Sequence, residues 1–341
     1  MSACVLFRTH YSKNIGYGHV KRCLSLASVL EKKGVDVVFL LDITEDEILP
    51  ELKEYPCYFY SSPCEYEFTQ EMSSMELNLT CKYLEKHTNK MVFFDKYSVV
   101  ESLLISLKDK GVHLASFDDF GIRNSSYDIL IDHNYEVIGD DPYLNILGSL
   151  MHCALSYDFY KCVSDKKFSF YKSSKLSLFI NLGSGDVLLY EDMILAALMQ
   201  LNVKKMFNIY WLVSGRSNIY GKIGVNLPDV NRLRYIDDMP DFLSGMDLAV
   251  GSCGVNSLER CCMGVPSLLA KTVENQERNY RTLINEGLGF CFNDEEDIAS
   301  ILEYFYYNKK ALKKASELCR TQVDGLGVMR ILNKIETLLV S

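Results

Sequence analysis

A histidine stands where a glycine-rich turn becomes a helix, in Asn14-Ile15-Gly16-Tyr17-Gly18-His19-Val20-Lys21-Arg22. Gly16 and Gly18 let the backbone turn sharply and approach a ligand closely. The unpaired N–H groups at a helix start suit an anion such as a phosphate or a sugar carboxylate. Imidazole is the side chain that most readily exchanges a proton near neutrality, so His19 is the best candidate for taking one from water. A lone histidine at a turn can also be a simple cap. The strand before it, the glycines around it and the helix after it favour the chemical reading.

Five further constellations follow later in the chain. Gly183-Ser184-Gly185-Asp186 is a second glycine turn after an apolar strand, suited to cradling a pyrophosphate and equally suited to an ordinary strand-to-helix turn. In Gly251-Ser252-Cys253-Gly254-Val255-Asn256-Ser257-Leu258-Glu259, small and hydroxylated residues open a helix. Such a start binds phosphate, and Glu259 one turn later can accept both hydroxyls of a ribose. The bland alternative makes Ser252 and Ser257 caps and Glu259 a solvated charge. Asn275-Gln276 begins another helix with amides able to bond sugar hydroxyl or acetamido groups, or to act as bare N-cap residues. Asp95-Lys96-Tyr97 and Asp118-Asp119 each end a strand; the acidic pair has the look of a metal site, but a cap or interdomain contact serves as well.

These groups need a scaffold that brings strand ends together. Apolar runs at 4–7, 35–41, 91–94, 113–117 and 129–131 read as buried strands separated by stretches of helical length. The helix after the first carries an apolar face at Val20, Cys23, Leu24, Ala27 and Leu30. The rhythm restarts with strands expected at 176–182, 209–213, 233–235, 248–250 and 267–270, and helices at 189–201, 255–263, 276–286, 298–306 and 310–322. This α/β pattern predicts two doubly wound, Rossmann-like domains, residues 1–160 and 176–341, joined by a lysine- and serine-rich linker over 161–175. Ligands bind such sheets at the carboxyl ends of strands, here expected in a cleft between the domains, as in the glycosyltransferase-B architecture.

Composition excludes other classes. The 341-residue chain is 48% hydrophobic and carries a net charge of −9, which argues against nucleic acid as a partner. No apolar run approaches the ~20 residues of a membrane span, and the N-terminus lacks a signal-peptide layout, so a cytoplasmic protein is expected. Twelve cysteines without a Cys-x-x-Cys pair read as reduced, mostly buried thiols.

Taken in order, Gly16-x-Gly18-His19-x-x-Arg22, Asp95-x-Tyr97, Ser116-Phe117-Asp118-Asp119, Asp132-x-Asn134, Gly183 to Asp186, Ser252 to Glu259 with Gly264 and Pro266, Asn275-Gln276 and Asp324-Gly325-x-Gly327-x-x-Arg330 form a series. That series resembles the UDP-2,4-diacetamido-2,4,6-trideoxy-β-L-altropyranose hydrolase family of pseudaminic acid biosynthesis, together with its spore-coat polysaccharide relatives. The resemblance implies a hydrolysis without metal or other cofactor, in which water attacks the anomeric carbon, UDP leaves and the configuration inverts. It implies that His19 activates the water, that Tyr97 and Asn275 lie near the sugar, and that the second domain holds the UDP of a UDP-sugar substrate. Gly16, Gly18 and Arg22 would line the first turn, with Gly183, Gly185, Asp186, Ser252, Ser257, Glu259 and Gln276 as the other binding residues. Two departures bear on the sugar: Lys96 stands where the family commonly has histidine, and residues 154–159 lack the family's arginine.

Overall fold

Runs such as Cys4-Val5-Leu6-Phe7 and Val37-Val38-Phe39-Leu40-Leu41 show no polar alternation, which suits strands covered on both faces. The computed structural model describes residues 3–11, 17–42, 48–60, 70–97, 99–134, 146–165, 174–183, 187–213, 219–227 and 229–340. The first unit contains β1 (Ala3–Thr9), α1 (Gly18–Lys32), β2 (Asp36–Leu41), β3 (Cys57–Phe59) and α2 (Gln70–Leu84). It continues through β4 (Asn89–Asp95), α3 (Glu101–Asp109), β5 (His113–Phe117), β6 (Ile129–Asp132) and β7 (Ile146–Gly148). Its sheet is parallel, in the order β3-β2-β1-β4-β5-β6-β7. The winding reverses between β1 and β4, where Thr9 pairs in register with Asp95. Chain leaving these two strands goes opposite ways, so their carboxyl ends border an open crevice.

The second unit repeats the plan. It comprises α4 (Tyr157–Asp165), β8 (Leu176–Asn181), α5 (Leu188–Gln200), α6 (Val203–Met206), β9 (Phe207–Leu212), α7 (Ile219–Asn226), β10 (Asn231–Leu233) and α8 (Met239–Leu243). Then come β11 (Leu248–Ser252), α9 (Val255–Cys262), β12 (Ser267–Ala270), α10 (Glu277–Asn285), β13 (Gly289–Phe290), α11 (Glu295–Tyr307) and α12 (Lys309–Gln322). The parallel order β10-β9-β8-β11-β12-β13 reverses between β8 and β11. Leu178, Ile180, Trp211, Leu248 and Val250 form the centre of its apolar core. The strand expected at 233–235 lies two residues earlier, and α1 buries Arg22 where Leu24 is only half-buried.

The last helix, α13 (Gly327–Val340), returns to the first unit. The chain divides into Met1–Ser156 with Leu326–Ser341, and Tyr157–Gly325. This corrects the expected boundaries: 326–341 does not belong to the second domain, and 157–165 is a helix of that domain rather than the end of the first domain (157–160) and the start of the linker (from 161). Physical causes are visible at the helix start. A Cβ on Gly327 would lie 2.0 Å from the Cys153 carbonyl oxygen, so only glycine permits this approach. Arg330 Nη1 donates to Met151 O at 2.8 Å. The stripe Val328, Ile331, Leu332, Ile335 and Leu339 is buried, and Lys33 pairs with Glu336. The Gly327-to-Arg330 part of the motif therefore docks α13 in this chain.

Candidate active site

β1 and α1 carry one side of the first crevice and β4 the other, so His19 meets Asp95 and Tyr97 although 76 and 78 residues separate them. His19 Nδ1 lies 2.6 Å from Asp95 Oδ1 and Nε2 lies 2.9 Å from the Tyr97 hydroxyl. An ionised carboxylate accepts only, so Nδ1 carries the proton and donates to Asp95. Nε2 is then the acceptor of the Tyr97 O–H. His19 lines a pocket of about 260 Å³ together with Tyr97, the partner of its Nε2, and with Ser116 and Phe120.

Asp95 is buried and strongly held. Arg22 Nε donates to its Oδ2 at 2.7 Å and Nη2 to its Oδ1 at 2.5 Å. The same guanidinium makes two bonds of 2.7 Å to the Asp119 carboxylate. Burial alone would raise both carboxyls; the Arg22 charge outweighs it and holds each below the usual carboxylate range. Burial likewise opposes the Arg22 charge, and Asp119 and Asp95 override it, raising its pKa. Arg22 also lies 4.2 Å above the Phe117 ring. Arg22 lines the pocket, but with its donors engaged it bridges two carboxylates instead of presenting an open fork to a ligand.

The acidic pair therefore divides its work. Asp119 partners Arg22, whereas Asp118 accepts from the backbone N–H groups of Ile122 and Arg123 at 3.0 and 2.9 Å and braces the loop after β5. His19, Asp95 and Asp119 offer three potential metal-ligand atoms within 4.8 Å of one another. The Arg22 guanidinium already sits against both carboxylates of that group and offsets one of their two charges. Lys96 is turned toward Asp42 at 3.1 Å, beside Arg8, which also pairs with Asp42 and with buried Glu76. Burial and the Arg8 charge lower the Lys96 ammonium.

One neighbour has no counterpart among the sequence motifs. His10, immediately after β1, packs edge-on against His19 and Tyr97 at ring distances of 4.9 and 5.0 Å. It is buried, its Nε2 has no hydrogen-bond partner, and burial followed by the His19 charge pushes it down to about 3. Its position directly after an apolar strand was the only available signal.

In the second unit, the Asn181 side chain at the end of β8 accepts from Gly183 N at 3.0 Å. Gly183 has φ +72°, and a Cβ there would come within 3.2 Å of Ser252 Oγ. Gly183 thus lies against the end of β11 and the start of α9, which has no side-chain cap. Ser252 exchanges hydrogen bonds with Asn256, and Glu259 is half-buried one turn into α9. Two expected binding residues are engaged internally. Ser257 Oγ donates to Gly254 O at 2.6 Å and accepts from Asn279, while Gln276 Oε1 accepts from Thr272 N at 3.1 Å. Arg260, unmarked by any motif, is fully buried and donates to Ser252 O at 2.7 Å, fixing the strand end; burial takes its pKa down to about 10. Asn275 is exposed in the short turn before α10, and half-buried Gly18 opens α1. Gly16, Gly185 and Asp186 lie outside the described residues, as does 166–173 of the expected linker.

In three dimensions the chain matches MurG of Acinetobacter baumannii with a TM-score of 0.73, over 98% of this chain and 99% of that one, at 15% identity. The fold is glycosyltransferase-B. In sequence, the chain is 31% identical over 191 residues to the UDP-2,4-diacetamido-2,4,6-trideoxy-β-L-altropyranose hydrolase of Campylobacter jejuni, covering 54% of this chain and 61% of that enzyme. It is 28% identical over 109 residues to the UDP-N-acetylglucosamine–N-acetylmuramyl-(pentapeptide) pyrophosphoryl-undecaprenol N-acetylglucosamine transferase of Caldicellulosiruptor saccharolyticus, 29% of each chain. The matched stretches span about three fifths and under one third of these two relatives. Both relatives are named as enzymes of UDP-sugars. No protein-family model matches the chain. No helix among the described residues is long and apolar enough to cross a membrane.

Proposed function

We propose that this protein is a cytoplasmic, metal-independent hydrolase of a UDP-linked diacetamido-trideoxy sugar, acting in pseudaminic-type acid biosynthesis. The observation that carries the reading is the Asp95–His19–Tyr97 chain, with Nδ1 fixed by a buried carboxylate and Nε2 bonded to a tyrosine that lines the same pocket. In the reaction, a water takes the place of the Tyr97 hydroxyl at Nε2 and gives its proton to His19. Its oxygen bonds to the anomeric carbon as the bond from that carbon to the bridging oxygen breaks, and UDP departs. A single displacement with one base inverts the centre. Tyr97 flanks the sugar. Gly183 to Asp186, Ser252 and the start of α9 hold the pyrophosphate through backbone N–H groups, and Glu259 accepts the ribose hydroxyls. The relationship to the Campylobacter hydrolase supports this substrate class.

Purified protein and UDP-diacetamido-trideoxy sugar in ¹⁸O-labelled water should yield UDP and free sugar with no acceptor, with the label on the sugar. Label in UDP would mean attack at phosphorus. Glycosyl transfer is the second reading, favoured by the likeness to MurG and to the Caldicellulosiruptor transferase. A strict requirement for an added acceptor would establish it instead.

A further inference from the structure

We propose that the loop after β5 forms an apolar wall, through Phe120 and Ile122, that reads methyl groups on the sugar; this rests on the function proposed above. The charged groups around the pocket are already matched to one another or to backbone. Arg22 is held by Asp95 and Asp119, Lys96 by Asp42, and the Asp118 carboxylate by two loop N–H groups. The loop also lines the pocket with Asn124, whose amide is spent on Glu101 and on Ser126 N, and with Tyr127; its two exposed large side chains there are apolar. Phe120 and Ile122 line it while 47% and 69% exposed. Exposed side chains of this size mark a contact surface when they gather at a pocket.

The wall is held in place. Both oxygens of Asp118 grip the backbone at Ile122 and Arg123, and Arg123 takes a left-handed φ of 54°. Phe120 packs edge-on against Tyr97 at a ring distance of 5.2 Å, so the wall is continuous with the group hydrogen-bonded to His19. A sugar attacked at that point therefore presents part of its ring to Phe120 and Ile122. A 6-deoxy, acetamido-substituted sugar offers methyl groups at C6 and on each acetyl, where an ordinary hexose offers hydroxyls. Against an apolar wall a methyl gains buried area, and a hydroxymethyl must lose water without a partner.

The test uses the full chain and three UDP-sugars: the diacetamido-trideoxy sugar, its C6-hydroxymethyl analogue and its C4-amino analogue lacking one acetyl. Apolar pockets distinguish substrates differing by one such group by about 10–200-fold. Wild-type protein should prefer the fully methylated sugar by at least about tenfold in kcat/KM over one analogue. The double variant Phe120→Ser/Ile122→Ser should shrink that ratio at least fivefold, with an unchanged unfolding temperature. Which analogue responds tells whether the C6 methyl or an acetyl methyl meets the wall. An unchanged ratio for both analogues, or an equal loss on all three sugars, overturns the proposal. Calorimetric titration with the same sugars separates the two ideas. A methyl preference in binding without UDP release would sink the hydrolase reading and keep the wall, whereas UDP release without preference would do the reverse.

Discussion

Replacing Asp95 by asparagine tests the base assignment most directly. Oδ1 of Asp95 receives both His19 Nδ1–H and Arg22 Nη2–H, and Oδ2 receives Arg22 Nε–H. An amide cannot serve all three donors. Either orientation sets its NH₂ against a buried Arg22 N–H, and with the NH₂ in the Oδ1 position the His19 proton is also driven to Nε2, so the lone pair that accepts from Tyr97 is lost. General-base catalysis contributes ~10²–10⁴-fold, so kcat should fall by about that factor, equivalent to ~3–5 kcal/mol. Stability should fall too, since breaking a buried ion pair costs ~3–5 kcal/mol of a total of ~5–15 kcal/mol. Asp119→Asn is the control, because it also releases Arg22 but does not touch His19. Its side chain is 21% exposed, so its stability loss should be the smaller, and its turnover should stay within about tenfold of wild type. The assay is initial-rate UDP release at saturating substrate, alongside thermal unfolding of each variant. A folded Asp95→Asn protein keeping more than about a tenth of wild-type kcat would refute the reasoning.

His19→Asn should remove turnover by ~10²–10⁴-fold while UDP affinity, read by calorimetry, changes little. Glu259→Ala should weaken UDP binding about tenfold, the scale of a lost charge-assisted hydrogen bond; unchanged affinity removes the ribose role. Treatment with EDTA should leave activity intact, and a loss restored by magnesium would return Asp95 and Asp119 to candidacy as ligands. His10 makes the protein acid-sensitive: unfolded, it binds a proton below about 6.5, but folded only below about 3. Between those values the unfolded state holds more protons, so stability falls as pH falls, by up to ~1.4 kcal/mol per pH unit. His10→Phe should flatten that part of the urea-midpoint profile relative to wild type, and an unaltered slope would show that other groups set it.

Much of the scaffold is legible because parallel strands buried on both faces are continuous apolar runs. Residues 113–117 and 267–270 are strands at the bounds their composition suggests. Short edge strands such as β3, β7 and β13 escape notice, since two or three residues carry no period. The stripe of α13 is equally plain in the sequence, but nothing local says which sheet it meets. That choice is made by Gly327 against Cys153 and by Arg330 on Met151, contacts across more than 170 residues. At the site, His19 and Tyr97 announce themselves by their neighbours in sequence. Arg22 does not announce its role: a cation beside glycines reads as an anion binder until the fold brings Asp95 and Asp119 to it. His10 is silent for the same reason, because its meaning lies in two rings supplied by other elements.

The two units use one topological device for different chemistry. In each, the winding reverses between the first strand and a later central strand, β1 with β4 and β8 with β11, and the residues just beyond those strands are thrown together. In the first unit both strand ends carry charge or imidazole, and a buried arginine makes that concentration tolerable by bridging two carboxylates. The result is a base with a fixed tautomer in a pocket whose loop wall is apolar. In the second unit the corresponding ends carry glycine, serine and asparagine, and the buried charge, Arg260, clamps a strand carbonyl from behind. What is left at the front is backbone N–H and small polar groups, which suit a phosphate better than a reacting carbon.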